Sequence, residues 1–492
     1  SKIDLMTELF SGIDAGWLYS AFAFIALGST VVIILVILSE NRNPVKSLAW
    51  VTVLLLLPVV GLILYLFFGR NFKNKRLISR RSRRRLRRQE PRVASDPRSQ
   101  NLDERSVQNI TIARTLIGAQ FYTSNTAEAF TNGADKFRAL EADLRQAQSS
   151  INIQYYIFED DNIGNLVSDI LIDRARAGVK VRVLYDHVGS IGVKNKFFKA
   201  LKDSGVECQP FLKVTFPELA THINWRNHRK MCIIDNCIGY IGGMNVADRY
   251  IDGGKSFDHW RDTHLRITGP AVAALQFSFA VDWSFTKGSL IENDIPIVCR
   301  DASPGKNAVA DVCAQLITSG PTSQFANVGM AFHHAIASAR RRVYIQTPYF
   351  LPTEGLLRAL QVAALAHVDV RIMMPAKSDS WMLTHASKSY ISECLRSGIK
   401  IYLYNTGMLH SKMMIVDDEL VSVGSTNFDF RSFECNFESN LFIYSTKFNR
   451  RMLDVFKADL KQCVRVAPAQ WHKRRISMKI AESLLRLLSP VL

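Results

Sequence analysis

Several sequence patterns that mark common enzyme and binding classes are missing from this chain of 492 residues. It has no glycine-rich loop with the spacing of a P-loop or a dinucleotide fingerprint, and no EF-hand loop. Its eight cysteines include no Cys-x-x-Cys pair, so neither a zinc spacing nor a disulfide framework is evident. These absences argue against nucleotide-dependent, calcium-regulated and zinc-dependent activities, and the cysteine usage is typical of a reducing compartment.

Charged residues are absent from two stretches near the N-terminus. Residues 17–39 and residues 47–69 each cover 23 positions without Asp, Glu, Lys or Arg. At a rise of about 1.5 Å per residue, such a helix crosses a hydrocarbon core of roughly 30 Å. Only seven residues separate the stretches, so the sequence predicts a two-helix transmembrane hairpin within residues 1–69. A re-entrant pair stays open, and Pro58 predicts a kink in the second helix.

Acidic residues are scarce in the segment that follows. Residues 70–92 contain twelve Lys or Arg and the single acid Glu90, a net +11 of the formal +18. The positive-inside rule therefore predicts that both termini and the large C-terminal part face the cytoplasm. The basic run is suited either to setting this topology or to binding anionic headgroups. We expect residues 70–130 to form a basic juxtamembrane segment and a connector.

One motif occurs twice in the chain, with its two histidines 182 positions apart. The spacing is His-x-Lys-x-x-x-x-Asp, and the motif residues are His228, Lys230, Asp235, His410, Lys412 and Asp417. Apolar residues 231–234 and 413–416 each lead into a turn and a returning apolar segment, which predicts two β-hairpins. A glycine turn and an asparagine follow in register, at Asn245 and Asn427. Because side chains at i and i+2 of a strand share a face, His and Lys would face one ligand.

Paired histidines, lysines and asparagines suit the transfer of a phosphodiester. One imidazole would attack phosphorus to form a phosphohistidine, and the other would protonate the leaving alcohol and later deprotonate the incoming one. The two lysines with Asn245, Asn427 and the hydroxyl of Ser425 would hold the phosphoryl oxygens, with no metal and no cofactor. Each histidine also needs a partner that fixes its tautomer, and the candidates are Asp262 and Glu438.

These residues resemble the phospholipase D superfamily, in which two such motifs make one active site. Residues 260–264, 347–350 and 427–432 resemble the corresponding runs of bacterial cardiolipin synthases. The resemblance implies that a phosphatidyl group passes between two phosphatidylglycerols to give cardiolipin and glycerol. It also implies that His228 is the nucleophile and His410 the general acid and base, a choice that the symmetric residues alone leave open.

A strand–helix–strand pattern precedes both hairpins. The predicted elements are strands 151–156, 179–184, 343–348 and 368–373 and helices 163–177 and 353–366. This repeat indicates an α/β fold of two pseudo-symmetric phospholipase D-like lobes, residues 131–310 and 311–470, with mixed sheets flanked by helices. Residues 471–492 predict an amphipathic basic helix, which is either interfacial or packed on the domain.

Other activities remain compatible with this site. A phospholipase D would use the same residues to hydrolyse phospholipid to phosphatidic acid, and a phosphatidylserine synthase would differ only in its acceptor. A nuclease is disfavoured by the apolar stretches and the lack of an aromatic–basic stacking pattern, so we expect no nucleic-acid partner. A non-catalytic scaffold is disfavoured because both motifs are complete.

The sequence therefore predicts a multi-pass enzyme of the bacterial inner (plasma) membrane. Its catalytic domain would face the cytoplasm and act on the membrane phospholipids phosphatidylglycerol and cardiolipin. Both half-sites belong to one chain, so an oligomer is compatible with the chemistry but not required for it.

Overall fold

The computed structural model describes residues 15–39, 44–65, 69, 77–87, 95–213, 225–291, 305, 307–487 and 489. The chain forms two compact units, Ser1–Phe72 with Val214–Asn224 and Lys73–Lys213 with Trp225–Leu492. The described helices of the first unit are α1 (Ala15–Ser39), α2 (Pro44–Leu56) and α3 (Pro58–Leu64).

Apolar contacts hold the helices of the first unit together. Ile37, Leu54 and Tyr65 are buried against one another. Leu57 leaves the helical backbone region at φ −134° and ψ 69° because a proline disfavours that region in the residue before it. The predicted helix 47–69 is therefore two helices broken ahead of Pro58, a sharper interruption than the expected kink. Within the part of the chain that is described in full, no helix is long and apolar enough to cross a membrane.

The second unit consists of helices around a large sheet. Its helices are α4 (Arg80–Arg87), α5 (Glu104–Ile117), α6 (Gly133–Arg145), α7 (Asn162–Arg176), α8 (Asn195–Asp203), α9 (Arg249–Asp252), α10 (Val272–Lys287), α11 (Asn327–Ala337), α12 (Glu354–Leu365), α13 (Trp381–Ser389), α14 (Ile391–Arg396), α15 (Phe430–Glu434), α16 (Thr446–Leu460), α17 (Pro468–His472) and α18 (Ile476–Leu487), with a 3-10 turn at Pro97–Ser99. Its strands are β1 (Phe121–Phe130), β2 (Ser150–Tyr155), β3 (Lys180–Asp186), β4 (Glu207–Phe211), β5 (Met231–Ile234), β6 (Ile238–Gly242), β7 (Trp260–Arg261), β8 (His264–Thr268), β9 (Val309–Ser319), β10 (Arg342–Gln346), β11 (Phe350–Leu351), β12 (Asp369–Pro375), β13 (Lys400–Tyr404), β14 (Met408–Leu409), β15 (Met413–Val416), β16 (Leu420–Gly424), β17 (Phe428–Asp429), β18 (Glu438–Tyr444) and β19 (Cys463–Arg465).

Fifteen of the described strands form one continuous sheet. Its order is β19-β13-β12-β10-β15-β16-β18-β9-β1-β8-β6-β5-β2-β3-β4. Strands β2, β3 and β4 pair in parallel, as do β10, β12 and β13, whereas the hairpins β5–β6 and β15–β16 are antiparallel. The order runs symmetrically outward from the β1–β9 pair, apart from the extra edge strand β19. The mixed α/β fold is thus confirmed, with the two halves sharing one sheet.

The seam between the halves is the antiparallel pair β1–β9. The sequence interpretation assigned residues 121–130 to a connector, but they form β1 in the middle of the sheet. Each half has its own apolar core, built in the first half around Ile151 and Ile153 and in the second around Val343 and Ile345. Apolar and polar residues alternate in strands such as β2 (Ser150–Tyr155) and β3 (Lys180–Asp186), which is why sequence periodicity located them.

Two further expectations need correction. The sequence shows no disulfide framework, yet Cys237 is disulfide-bonded. The helix expected over residues 471–492 is divided into α17 and α18. Helix α18 packs against α13 and is tied by the salt bridge from Arg474 to the buried carboxylate of Glu482 at 2.6 Å, while apolar side chains such as Ile476 and Leu487 remain exposed.

Candidate active site

Both motif aspartates anchor the turns of their hairpins. The carboxylate of Asp235 accepts hydrogen bonds from the backbone N–H groups of residues 148–150 at 2.7–2.9 Å. Asp417 does the same with the backbone N–H groups of residues 340–342. These contacts lie at the opposite end of strands β5 and β15 from the histidines. The oxygens of Asp235 and Asp417 thus fasten the hairpin to the start of the neighbouring strand, away from the histidines, and a catalytic role for them stays a prediction.

The two motif histidines are oriented by carboxylates from opposite halves of the sheet. Nδ1 of His228 lies 2.9 Å from Oε1 of Glu438, and Nδ1 of His410 lies 2.6 Å from Oδ2 of Asp262. Both carboxylates are fully buried. A carboxylate beside Nδ1 places the ring proton there and leaves the Nε2 lone pair available.

Backbone pairing between the halves produces this crossed arrangement. The N–H of His228 donates to the carbonyl of Phe437 at 2.9 Å, so the first motif lies beside the residue that precedes Glu438. The N–H of His410 donates to the carbonyl of Arg261 at 2.7 Å, and β14 pairs in parallel with β7. Each histidine is therefore held by main-chain bonds next to the carboxylate of the other half.

The motif lysines lie against the backbone of their own histidines. Nζ of Lys230 donates to the carbonyl of His228, and Nζ of Lys412 donates to that of His410. Nζ of Lys412 also lies 2.9 Å from Nδ1 and 3.2 Å from Nε2 of the His410 ring. The ammonium groups are buried beside the imidazoles, where they reinforce an anion-binding field.

The asparagines and Ser425 take different positions. Asn245 and Asn427 both line the cavity above the histidines. The Asn245 amide donates to the Tyr250 hydroxyl and accepts from the N–H of Ile157, whereas Oδ1 of Asn427 is buried without a partner among the described residues. Ser425 was expected to bind phosphate, but its hydroxyl donates to Oε2 of Glu438, so it holds the carboxylate that orients His228.

A cavity of about 270 Å³ opens over the two histidines within the second unit. Its walls include three arginines that motif reasoning missed, Arg226, Arg249 and Arg431. Two of these follow a sequence signal, since Arg226 stands two residues before His228 and Arg431 four residues after Asn427. Guanidinium groups suit a phosphate because their donors form a planar fork.

Burial is the largest cause of the pKa shifts of the histidines and lysines in the site. It lowers the pKa of His228 to about 4 even though Glu438 acts in the opposite direction. It also lowers the pKa of His410, with the charge of Lys412 adding to the effect. The pKa of Lys412 falls to about 8 for the same main reason, and that of Lys230 falls well below its usual value. Both imidazoles are therefore neutral near pH 7 in the empty site.

Comparison with known proteins now assigns the family. The chain matches the family described as "Cardiolipin synthase, PLD-like domain" over residues 140–283 and 332–460, and one described as "Phospholipase_D-nuclease N-terminal" over residues 28–70. The chain belongs to the PLD-like cardiolipin synthase family. Its two matched segments contain the two motifs, one in each half of the sheet.

Curated relatives in this family cover nearly the whole chain. "Cardiolipin synthase 2" of Bacillus cereus is 40% identical, over 93% of this chain and 89% of the relative. "Major cardiolipin synthase ClsA" of Bacillus subtilis is 38% identical, over 93% and 96%. The crystal structure of phosphatidylserine synthase from Haemophilus influenzae shares the fold at a TM-score of 0.58 and 14% identity, covering 78% of this chain and all of that one.

Two buried aspartates bind residues next to the candidate active site, and motif reasoning missed both. Asp282 accepts from Arg229 at 2.5 Å and from Gln154 at 2.6 Å. Asp459 accepts from Gln346 at 2.7 Å and from Arg261, the residue before Asp262, at 2.8 Å. Each lies on a helix that follows its hairpin, so no local pattern links it to a motif. These contacts fix the segments that carry His228 and Asp262.

Proposed function

We propose that the protein is a cardiolipin synthase that transfers a phosphatidyl group from one phosphatidylglycerol to another, giving cardiolipin and glycerol. The observation that carries this proposal is the pair of buried imidazoles, each oriented through Nδ1 by a carboxylate, beneath a cavity lined by three arginines and by Asp379 and Asp429. One imidazole is suited to attack phosphorus and the other to move the alcohol proton. The names of the curated relatives and the resemblance of the motifs support the choice of lipid substrate.

In the first step, His228 is the nucleophile. Because Nδ1 faces Glu438, Nε2 attacks phosphorus and forms the phosphohistidine. Binding of the anionic substrate favours the imidazolium form of His410, which takes up a proton at Nε2 and whose positive charge Asp262 stabilises. The P–O bond to the glycerol headgroup breaks, and the leaving oxygen takes that proton from Nε2 of His410. The products of this step are free glycerol and a phosphatidyl group on His228.

The second step reverses the roles of the histidine pair. The glycerol hydroxyl of a second phosphatidylglycerol gives its proton to Nε2 of His410 and attacks phosphorus. The bond from phosphorus to His228 breaks, and cardiolipin leaves. Atoms and protons balance over the cycle, and no redox partner is involved. Water in place of the second lipid would yield phosphatidic acid.

Cationic and amide donors would hold the phosphoryl oxygens throughout. We assign this role to Lys230, Lys412, Asn245 and Asn427, aided by Arg226 and Arg431 at the cavity wall. Preformed donors in a buried site stabilise developing negative charge more strongly than water does. Ser425 is assigned instead to positioning Glu438.

We also propose that residues 17–69 anchor the enzyme in the bacterial plasma membrane, with the catalytic unit in the cytoplasm. Helix α1 contains no charged residue, α2 and α3 follow after a short link, and a basic segment succeeds them. The match of residues 28–70 to a family N-terminal region supports a shared role for this segment.

The experiment that tests the function is product analysis from purified protein. The protein is incubated with vesicles of labelled phosphatidylglycerol, with EDTA present, and lipids and water-soluble products are separated. Cardiolipin and free glycerol in equal amounts are expected. Phosphatidic acid in their place would establish hydrolysis, and loss of all turnover that one divalent ion restores would contradict the metal-free chemistry.

A further inference from the structure

A second cavity lies within the catalytic unit, away from the histidine pocket. Its volume is about 630 Å³, which falls in the usual range for ligand sites. It is bounded by α4, the end of α5, α10 and the loop that follows β9. None of the side chains assigned above to the reaction is among its described lining residues.

Three arginines of α4 form one wall of this cavity: Arg80, Arg83 and Arg87. Their spacing of i, i+3 and i+7 places them on one face of the helix. Arg81, Arg84 and Arg85 belong to the same helix but do not line the cavity. Arg87 is fixed in place, because its Nη2 donates to the carbonyl of Ile117 at 2.6 Å and its guanidinium lies over the Phe277 ring.

Basic residues outnumber acids among the described lining residues of the cavity. Among the described lining residues Asp282 is the only acid; its Oδ2 accepts from Arg229, Asn227 and Gln154, and its Oδ1 is buried without a hydrogen-bond partner among the described residues. Nε of Arg87 is buried without a hydrogen-bond partner in the part of the chain that the structure describes. The cavity is therefore net cationic and retains a free donor.

The opposite walls of the cavity are apolar. Side chains of α5, α10 and the loop after β9 contribute Leu116, Phe277, Val281 and Phe325, and Phe325 is 46% exposed. Residues with hydroxyl and amide groups, such as Thr322 and Asn327, also line the cavity. An anion with hydroxyl or ester oxygens and an attached hydrocarbon chain complements all three kinds of surface.

We propose that this cavity is a second lipid site, which binds the phosphate headgroup and the first part of an acyl chain of an anionic phospholipid. Arg80, Arg83 and Arg87 contact the phosphate, and the apolar walls cover the chain. The site is separate from the histidine pocket, and the proposal stands whether or not the proposed phosphatidyl transfer is correct. It gives the basic segment a ligand-binding face in addition to its net charge.

Part of the cavity is lined by residues adjacent in sequence to the proposed catalytic residues. It includes Arg229, which stands between His228 and Lys230, and Phe437, which precedes Glu438. Alternation along an extended chain turns these side chains away from the histidine pocket. A lipid bound here would contact the segments that carry His228 and Glu438 without entering the reaction site.

The test compares two triple variants of the full-length protein in a neutral detergent. In one, Arg80, Arg83 and Arg87 become Gln; in the other, Arg81, Arg84 and Arg85 become Gln, with the same loss of charge on the same helix. Binding of dioctanoyl phosphatidic acid is measured by native mass spectrometry, with dioctanoyl phosphatidylcholine as the neutral lipid. Both variants keep the histidine pocket, so its contribution is common to them.

The cavity-facing triple should weaken phosphatidic acid binding about a hundredfold, since each juxtamembrane arginine contributes about one factor of five. The control triple should weaken it less than about threefold, because these arginines do not line the cavity and would act on the lipid only over a longer, screened distance. Equal losses of phosphatidic acid affinity in the two variants would show that only net charge matters and would overturn the proposed lipid site. Equal wild-type affinity for the neutral lipid, or for a short single-stranded oligonucleotide, would also overturn it.

A milder pair of variants guards against misfolding. Arg83 and Arg84 are adjacent and exposed, so Arg83→Glu and Arg84→Glu should both leave the fold intact. Only Arg83→Glu should lose phosphatidic acid binding. Cardiolipin formation is assayed separately. An absence of turnover in the wild type would count against the proposed reaction, but the binding comparison between the two variants would still test the lipid site.

Discussion

Nδ1 of His228 lies 2.9 Å from Oε1 of Glu438, although 210 positions separate the two residues along the chain. The second contact of this kind, His410 with Asp262, runs in the opposite direction between the halves. Neither half of the sheet therefore contains an oriented histidine of its own. The active site depends on the β1–β9 seam that joins the halves.

The crossed pairs predict which variants can still form the phosphohistidine. Phosphatidyl-p-nitrophenol has a leaving group that needs no general acid, so His410→Ala and Asp262→Asn should retain a burst of p-nitrophenol and accumulate the phosphoenzyme. His228→Ala and Glu438→Gln should lose the burst, by at least about a thousandfold for His228→Ala. Rapid-quench measurement of the burst checks this. The opposite distribution would exchange the roles of the two histidines.

With phosphatidylglycerol as substrate, both histidines should be essential. His228→Ala and His410→Ala should each lower cardiolipin formation by at least about a thousandfold, because neither nucleophile nor proton carrier is replaced. His333→Ala is a matched control, since that histidine is exposed on α11. Circular dichroism should show the same fold in all three proteins. Substantial turnover by either catalytic variant would contradict the two-histidine mechanism.

The motif aspartates should affect stability far more than chemistry. Asp235→Asn and Asp417→Asn each keep a side chain that tolerates positive φ but remove the charge that binds three backbone N–H groups. We expect the free energy of unfolding to fall by about 2 kcal/mol in each variant. Urea titration in detergent measures this loss, and kcat of the folded fraction should change less than about threefold. A large loss of kcat at unchanged stability would return these residues to the catalytic set.

Ser425 should act on turnover through Glu438. Ser425→Ala removes the hydroxyl that donates to Oε2 of the buried Glu438, so His228 is oriented less firmly. A roughly tenfold lower kcat is expected, with KM changed little, because one hydrogen bond to a charged group contributes about 1.5–3 kcal/mol. Ser425→Thr should restore most of the rate. A selective rise in KM would instead support the direct phosphate contact that the sequence suggested.

Phosphodiester binding should take up a proton. Burial, followed by the charge of Lys412, lowers the pKa of His410 below 6.5, so its ring is neutral at pH 7 when the site is empty. A bound anion favours the imidazolium and raises that pKa. At pH values between the lower pKa of the empty site and the higher pKa of the complex, the complex binds more protons than the free protein. In that window Kd for the phosphodiester therefore rises by up to tenfold for each unit increase in pH. Calorimetry with dimethyl phosphate in buffers of different ionisation enthalpy measures the uptake, which His410→Asn should abolish.

Local sequence patterns located the hairpins, the histidines and the asparagines because strand periodicity and turn residues act over a few positions. The same patterns also suggested Asp262 and Glu438 as orienting groups, but which histidine each one serves depends on the β1–β9 pairing. Residues 121–130 carry no motif, so that pairing had no local signal. Constant spacing within a motif does not separate a catalytic carboxylate from one that binds backbone N–H groups, so the contacts of Asp235 could not be predicted from the sequence.

The 210 positions between His228 and Glu438 also have a consequence during synthesis of the chain. At about 5–20 residues per second, roughly 10–40 seconds pass between the addition of the first residue and the second. Throughout that interval the nascent chain carries His228, the proposed nucleophile, without the carboxylate beside its Nδ1. The proposed active site is thus incomplete until the second half of the chain has been made.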